Sequence, residues 1–167
     1  MSKTLLAKVG AMSCAGALAI AALLGCVAQN TGVSEAVQAN RTYMTQVNRT
    51  MEDLGTDLES FSEAVSRGDV VSMRTQADNA FAELDKLQAL EVPEDMRDIQ
   101  SNYAEGAQKL EEALNSYVAL YTEIEAATEA APFDWSTYDQ RIADIQQLYD
   151  QGVAALKAGD EAAAAKE

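Results

Sequence analysis

Carboxylates, tyrosines and two cysteines are the side chains here that most invite a chemical reading, and the chain contains no histidine. That absence removes the commonest general base and the commonest metal ligand. Ser-His-Asp and Cys-His nucleophile systems lack their base. The di-metal signature of helical bundles, Glu-x-x-His, lacks its imidazole. No glycine-rich phosphate loop occurs, nor a calcium loop of alternating Asp/Asn with a central Gly and terminal Glu. With 27 Asp and Glu residues, a paired-carboxylate hydrolase is the one enzymatic scheme the composition leaves open. Such pairs sit in clefts formed by loops, and this sequence has almost no loop. The expectation is a non-catalytic protein with no metal site and no cofactor.

Two tripeptides invite a functional reading and have simpler ones. Arg67-Gly68-Asp69 resembles an adhesion motif, but Gly suits the left-handed residue after a helix and Asp the N-cap of the next. Asn-Arg-Thr occurs at Asn40 and at Asn48 and matches a glycosylation acceptor. Both copies fall inside one helical segment rather than on a loop, where ordinary helix-surface or seam residues are expected.

The sharper candidate is aromatic. Tyr103, Tyr117, Tyr121, Tyr138 and Tyr149, with Trp135, concentrate in the last two helical segments. Gly106 and Gly152 fall on the same stripes, where a missing side chain can open space. Tyr103, Gly106, Tyr149 and Gly152 therefore define a candidate ligand groove, aromatic-walled and suited to an apolar or sugar-like molecule. The competing reading fills the core with tyrosine rings, sends their hydroxyls to the rim and uses glycine for close helix approach.

Four helices must position these residues. Ser34 is a plausible N-cap, and Met44, Val47, Met51, Leu54, Leu58, Phe61 and Val65 then recur in steps of three and four. Val37 extends that seam backwards. Val70, Met73, Ala77, Ala80, Phe81, Leu84 and Leu87 form a second stripe. After Pro93, Met96, Ile99, Tyr103, Leu110, Ala113, Tyr117, Leu120 and Ile124 form a third, widened by Ala107, Leu114 and Tyr121. The fourth reads Trp135, Tyr138, Ile142, Ile145, Tyr149 and Leu156, capped by Asp134 or Ser136. Short connections imply antiparallel neighbours, so the expected fold is all-α, an up-down-up-down four-helix bundle. A three-helix bundle with the second helix detached is the alternative. At 1.5 Å per residue the first and third helices would reach about 50 Å and the others about 35 Å. The bundle is expected over residues 34–159, followed by a frayed Ala-rich acidic tail over 160–167.

The segment before Cys26 has another character. Lys3 and Lys8 precede a run from Val9 to Gly25 that holds no charge and is rich in Ala, Leu and Gly. A basic start followed by a short apolar run is the export pattern, and the run is near the lower limit for a spanning helix. Leu23-Leu24-Gly25 does not supply the A-x-A spacing of a simple cleaved signal. A retained signal anchor is a second reading, though the run is weakly hydrophobic for its length. Leu23, Gly25 and Cys26 resemble the lipobox of bacterial lipoproteins, in which the chain is cut before a cysteine that carries lipid. The resemblance covers residues 1–26 alone. It implies a signal peptide over 1–25, cleavage between Gly25 and Cys26, lipidation of Cys26 and a tether over 26–33. It also implies at least two acyl chains, enough for stable anchoring where one is marginal. Cys14 would leave with the signal, so no disulfide could form in the mature chain.

Cleavage would remove two of the 12 basic residues and no acidic one. The remaining chain, ten basic against 27 acidic residues, carries −17, a charge that repels nucleic acid. The expected function is that of an exported, lipid-anchored helical bundle on the extracytoplasmic face of a bacterial membrane. It would act as a binding or interaction module, its partners the membrane through Cys26 and a protein of the envelope. A structural spacer without a specific ligand is the alternative, and a carboxylate hydrolase a distant third. Heptad seams can also continue between chains, so the oligomeric state stays open.

Overall fold

The computed structural model describes residues 35–166, and all statements of structure below refer to these. The expected signal segment, cleavage position at Gly25, lipidated Cys26, tether and Ser34 cap lie outside the described residues.

Periodicity of three and four residues becomes four helices: α1 (Glu35–Arg67), α2 (Val70–Ala89), α3 (Arg97–Ala126) and α4 (Tyr138–Ala164). Short 3-10 turns, Glu94–Met96 and Trp135–Thr137, lead into α3 and α4. The fold is all-α, as the stripes require. Successive helices are antiparallel. The Arg74 guanidinium donates to the Thr122 hydroxyl (2.8 Å) while Gln88 reaches Glu111, so α2 and α3 run in opposite senses. Arg141 pairs with Glu123 at one end of the α3–α4 contact, and Tyr103 meets Asp160 at the other. Phe61 of α1 packs edge-on against Tyr117 of α3 (5.8 Å), and Leu58 and Phe61 face Ile145 and Tyr149 of α4. The second helix is not detached: Met73, Ala80 and Leu84 are wholly enclosed between α1 and α3.

The α1–α2 turn follows from Gly68 and Asp69. Gly68 adopts φ +65°, and its N–H and that of Asp69 donate back to the Val65 and Ala64 carbonyls. This pair of bonds closes the helix end as a Schellman motif. Asp69 then caps α2, accepting from the Ser72 N–H (3.0 Å) and hydroxyl (2.6 Å). Local turn chemistry accounts for Gly68 and Asp69 of the Arg67-Gly68-Asp69 tripeptide.

Four expectations need correction. The helices hold 33, 20, 30 and 27 residues in chain order, so α2 alone is short, about 30 Å against about 50 Å for α1. In consequence the first turns of α1 project past α2, and Val37 is 42% exposed although the seam reaches it. In that uncovered stretch the core residue is Tyr43, with Met44 only partly buried. The segment from 160 is no frayed tail. α4 continues to Ala164, with Gly159 and Ala163 buried, because the seven-residue step from Gly152 to Gly159 keeps the small stripe against α3. Trp135 leaves the buried part of the fourth stripe: it sits in the 3-10 turn before α4, in contact with Tyr138 but 42% exposed.

Candidate functional site

The four groove residues divide between a tight crossing and a small cavity. Gly106 of α3 and Gly152 of α4 face one another. A Cβ built on Gly106 would lie 2.7 Å from Leu156 side-chain atoms and 3.0 Å from the Gly152 carbonyl oxygen. One built on Gly152 would lie 2.8 Å from Leu110 and 3.1 Å from the Gly106 carbonyl oxygen. The space expected of a groove is thus occupied by Leu110, Leu156 and the two backbones. One turn further along, the Tyr103 ring fills the equivalent position over Gly159, at 2.7 Å. Tyr149 lies the other way along α4, where it lines a cavity with Leu58, Phe61, Leu114, Tyr117 and Ile145. That cavity measures about 10 Å³, room for one water-sized sphere. Tyr103, Gly106 and Gly152 therefore share one close-packed stripe, and Tyr149 belongs to another layer.

Sequence reasoning missed the polar layer at the start of α1. Tyr103 is 1% exposed, and its hydroxyl donates to Asp160 Oδ1 at 2.7 Å. Burial, and then the adjoining carboxylate, raise the Tyr103 hydroxyl far above the usual phenol range, so it serves as a fixed donor. Burial likewise raises Asp160, against the opposing effect of the Tyr103 hydrogen bond. The Tyr43 hydroxyl and Asn40 Oδ1 are enclosed at this end without a protein partner. Lys166 closes the layer, paired with Asp98 (2.6 Å) and bonded to the Asp95 carbonyl. A buried tyrosine needs a partner for its hydroxyl, and that rule applied to Tyr103 points beyond Leu156 to a polar residue late in α4.

At the opposite end, the connection between α3 and α4 holds a second group of aromatic rings. Phe133 meets Trp135 edge-on at 5.0 Å, and Trp135 meets Tyr138 at 5.6 Å. Asp134 fixes the turn, its Oδ1 accepting from the Ser136 N–H (3.0 Å) and hydroxyl (2.7 Å). Phe133 and Tyr138 pack on the core, whereas Trp135 is 42% exposed.

No family model, curated protein or solved structure matches the chain.

Charge separates the two ends of the bundle. The pairs Gln88–Glu111 and Leu110–Gly152 set a common level across α2, α3 and α4, and Met51 is the midpoint of α1. On the side holding the α1–α2 turn and the aromatic connection, residues 51–86 and 111–151 carry 18 carboxylates against four cations, a net −14. Those cations are Arg67, Arg74, Lys86 and Arg141. On the side where α1 starts, residues 35–50, 87–110 and 152–166 carry eight carboxylates against six cations, a net −2. Helix periodicity conceals this division, because each helix crosses both halves. Among the described residues no cluster of acidic or thiol groups is arranged to hold a metal ion, and the acidity of the −14 half is spread over all four helices.

Proposed function

We propose that this chain is an exported bacterial lipoprotein whose bundle acts as a non-catalytic interaction module at the extracytoplasmic face of a membrane. The reading joins the resemblance at Leu23, Gly25 and Cys26 to the axial charge division, which is the observation that carries it. Glu35, where α1 begins, stands nine residues after Cys26 in the chain. The half of the bundle that continues from this point is the −2 half. Anionic headgroups repel negative charge within a Debye length, about 8 Å at physiological salt. An α1 of about 50 Å keeps most of the −14 half beyond that range. A bundle anchored at its N-terminus thereby presents its near-neutral end to the membrane and its acidic end to other proteins. The tight interior supports a binding surface on the outside of the bundle rather than a ligand chamber within it.

Fractionation of cells expressing the full chain tests the anchor. Wild type is expected in the membrane fraction as the shortened, lipid-labelled form. Cys26→Ser is expected to lose the label and leave that fraction. An uncut Cys26→Ser chain that stays wholly membrane-bound would identify a signal anchor and overturn the lipoprotein reading.

A further inference from the structure

We infer that the acidic end of the bundle, centred on Trp135, is a docking surface for a basic protein segment carrying arginine. The inference rests on the interaction-module reading above and names its surface and its partner.

Three observations converge on this end. Trp135 is the chain's single tryptophan, and it is exposed in a fold that buries most of its large apolar side chains. Tryptophan is among the residues most often found as the energetic centre of protein interfaces. The ring is also held in place before any partner arrives: Phe133 lies against its edge, Tyr138 tilts beside it, and Asp134 fixes the turn beneath through Ser136. A preset side chain loses little freedom on binding. The third observation is charge. Glu125, Glu129 and Asp139 are exposed in and beside this connection, without an ion pair among the described residues. Arg141, the nearby cation, is engaged by both carboxylate oxygens of Glu123 at 2.6 and 2.9 Å.

An exposed aromatic ring in an acidic connection suits a guanidinium. Arginine stacks on tryptophan through attraction to the ring's negative face, within about 6 Å of its centre, and its donors reach adjacent carboxylates. The same charge disfavours other occupants. A second copy would bring one −14 half against another, and an anionic lipid surface or nucleic acid is repelled.

The test uses the protein as cells produce it, purified in neutral detergent, with Trp135 emission as reporter, since no other tryptophan contributes. Titration with an arginine hexapeptide is expected to change the emission saturably, while a glutamate hexapeptide leaves it unchanged. Calorimetry on Trp135→Ala is expected to show at least tenfold weaker binding of the arginine peptide, with helicity unchanged, and Trp135→Phe is expected to fall between. Equal binding by wild type and Trp135→Ala would reduce the effect to general attraction by a polyanion and overturn the inference. Absence of peptide binding, or an emission response to a chitin hexasaccharide alone, would overturn it as well. None of these outcomes depends on the fate of Cys26→Ser in cells, so failure of the docking site and failure of the anchor are read separately.

Discussion

The two ends of this bundle solve different problems with the same four helices. Where α1 starts, α3 and α4 meet through Gly106, Gly152 and Gly159, and the layer is closed by Tyr103–Asp160 and Lys166–Asp98. Its charges nearly balance. At the far end, a capped turn and an aromatic connection project beyond the helices, and carboxylates outnumber cations 18 to four in that half. Close backbone approach leaves no room for change at the first end. The second leaves Trp135 outside the core that its neighbours Phe133 and Tyr138 pack against. The buried core runs through both halves, so the ends are expected to differ in tolerance to change: the glycine crossing is intolerant, and recognition resides at the other end.

That division can be broken most severely at the glycine crossing. Gly106→Val places branched carbons where Leu156 and the Gly152 carbonyl already stand. A loss of about 3 kcal/mol is expected, in the upper range for overpacked cores, read as a lower urea midpoint with unchanged slope. Tyr103→Phe is milder. It removes the hydroxyl that donates to Asp160, leaving a half-buried carboxylate without that donor, at about 1–2 kcal/mol. The same urea series measures it.

The pH dependence sharpens the comparison further. Asp160 is raised by burial from the ordinary aspartate value of 3.8, so the folded chain holds its proton more tightly than the unfolded one. Its contribution is fully present below 3.8 and is lost as pH rises through the raised value. At the acidic end, Asp69 and Asp134 are lowered by hydrogen bonds from Ser72 and Ser136. Their contributions are present above 3.8 and are lost as pH falls through their lowered values. Asp160→Asn is expected to remove the loss of stability on the alkaline side of 3.8 and to leave the acid limb unchanged. Denaturation midpoints across that range check it. The smallest expected effect is that of Trp135→Ala on folding. Within about 0.5 kcal/mol of wild type, it would separate a recognition residue from a structural one.

Much of the fold was legible because burial in a bundle repeats every three to four residues. The stripe from Val47 to Val65, the Gly68–Asp69 turn and the antiparallel order all follow from that spacing and from cap chemistry. Glycine was ambiguous, since a missing side chain signals a cavity and a close approach equally well. Only the partner helix, with Leu110 and Leu156 in place, decides between them. Trp135 and Asp160 were misread for a shared reason: each lies at an end of α4, where periodicity runs out. Trp135 falls in the turn before α4, at the edge of what the other helices cover, and Asp160 lies in an alanine-rich stretch that small residues bury without an obvious apolar signal. The charge division was present in the sequence but needed the fold, because it sums alternate halves of consecutive helices.

One measurement reaches both ends together. The full chain as produced by cells is reconstituted in vesicles of phosphatidylcholine and phosphatidylglycerol, with or without brominated acyl chains, and Trp135 emission is recorded. An anchored bundle whose acidic end points away from the bilayer predicts emission indifferent to bromine, quenched by aqueous acrylamide and protected from acrylamide by the arginine peptide. Strong quenching by the brominated chains would place Trp135 in the membrane and contradict that orientation.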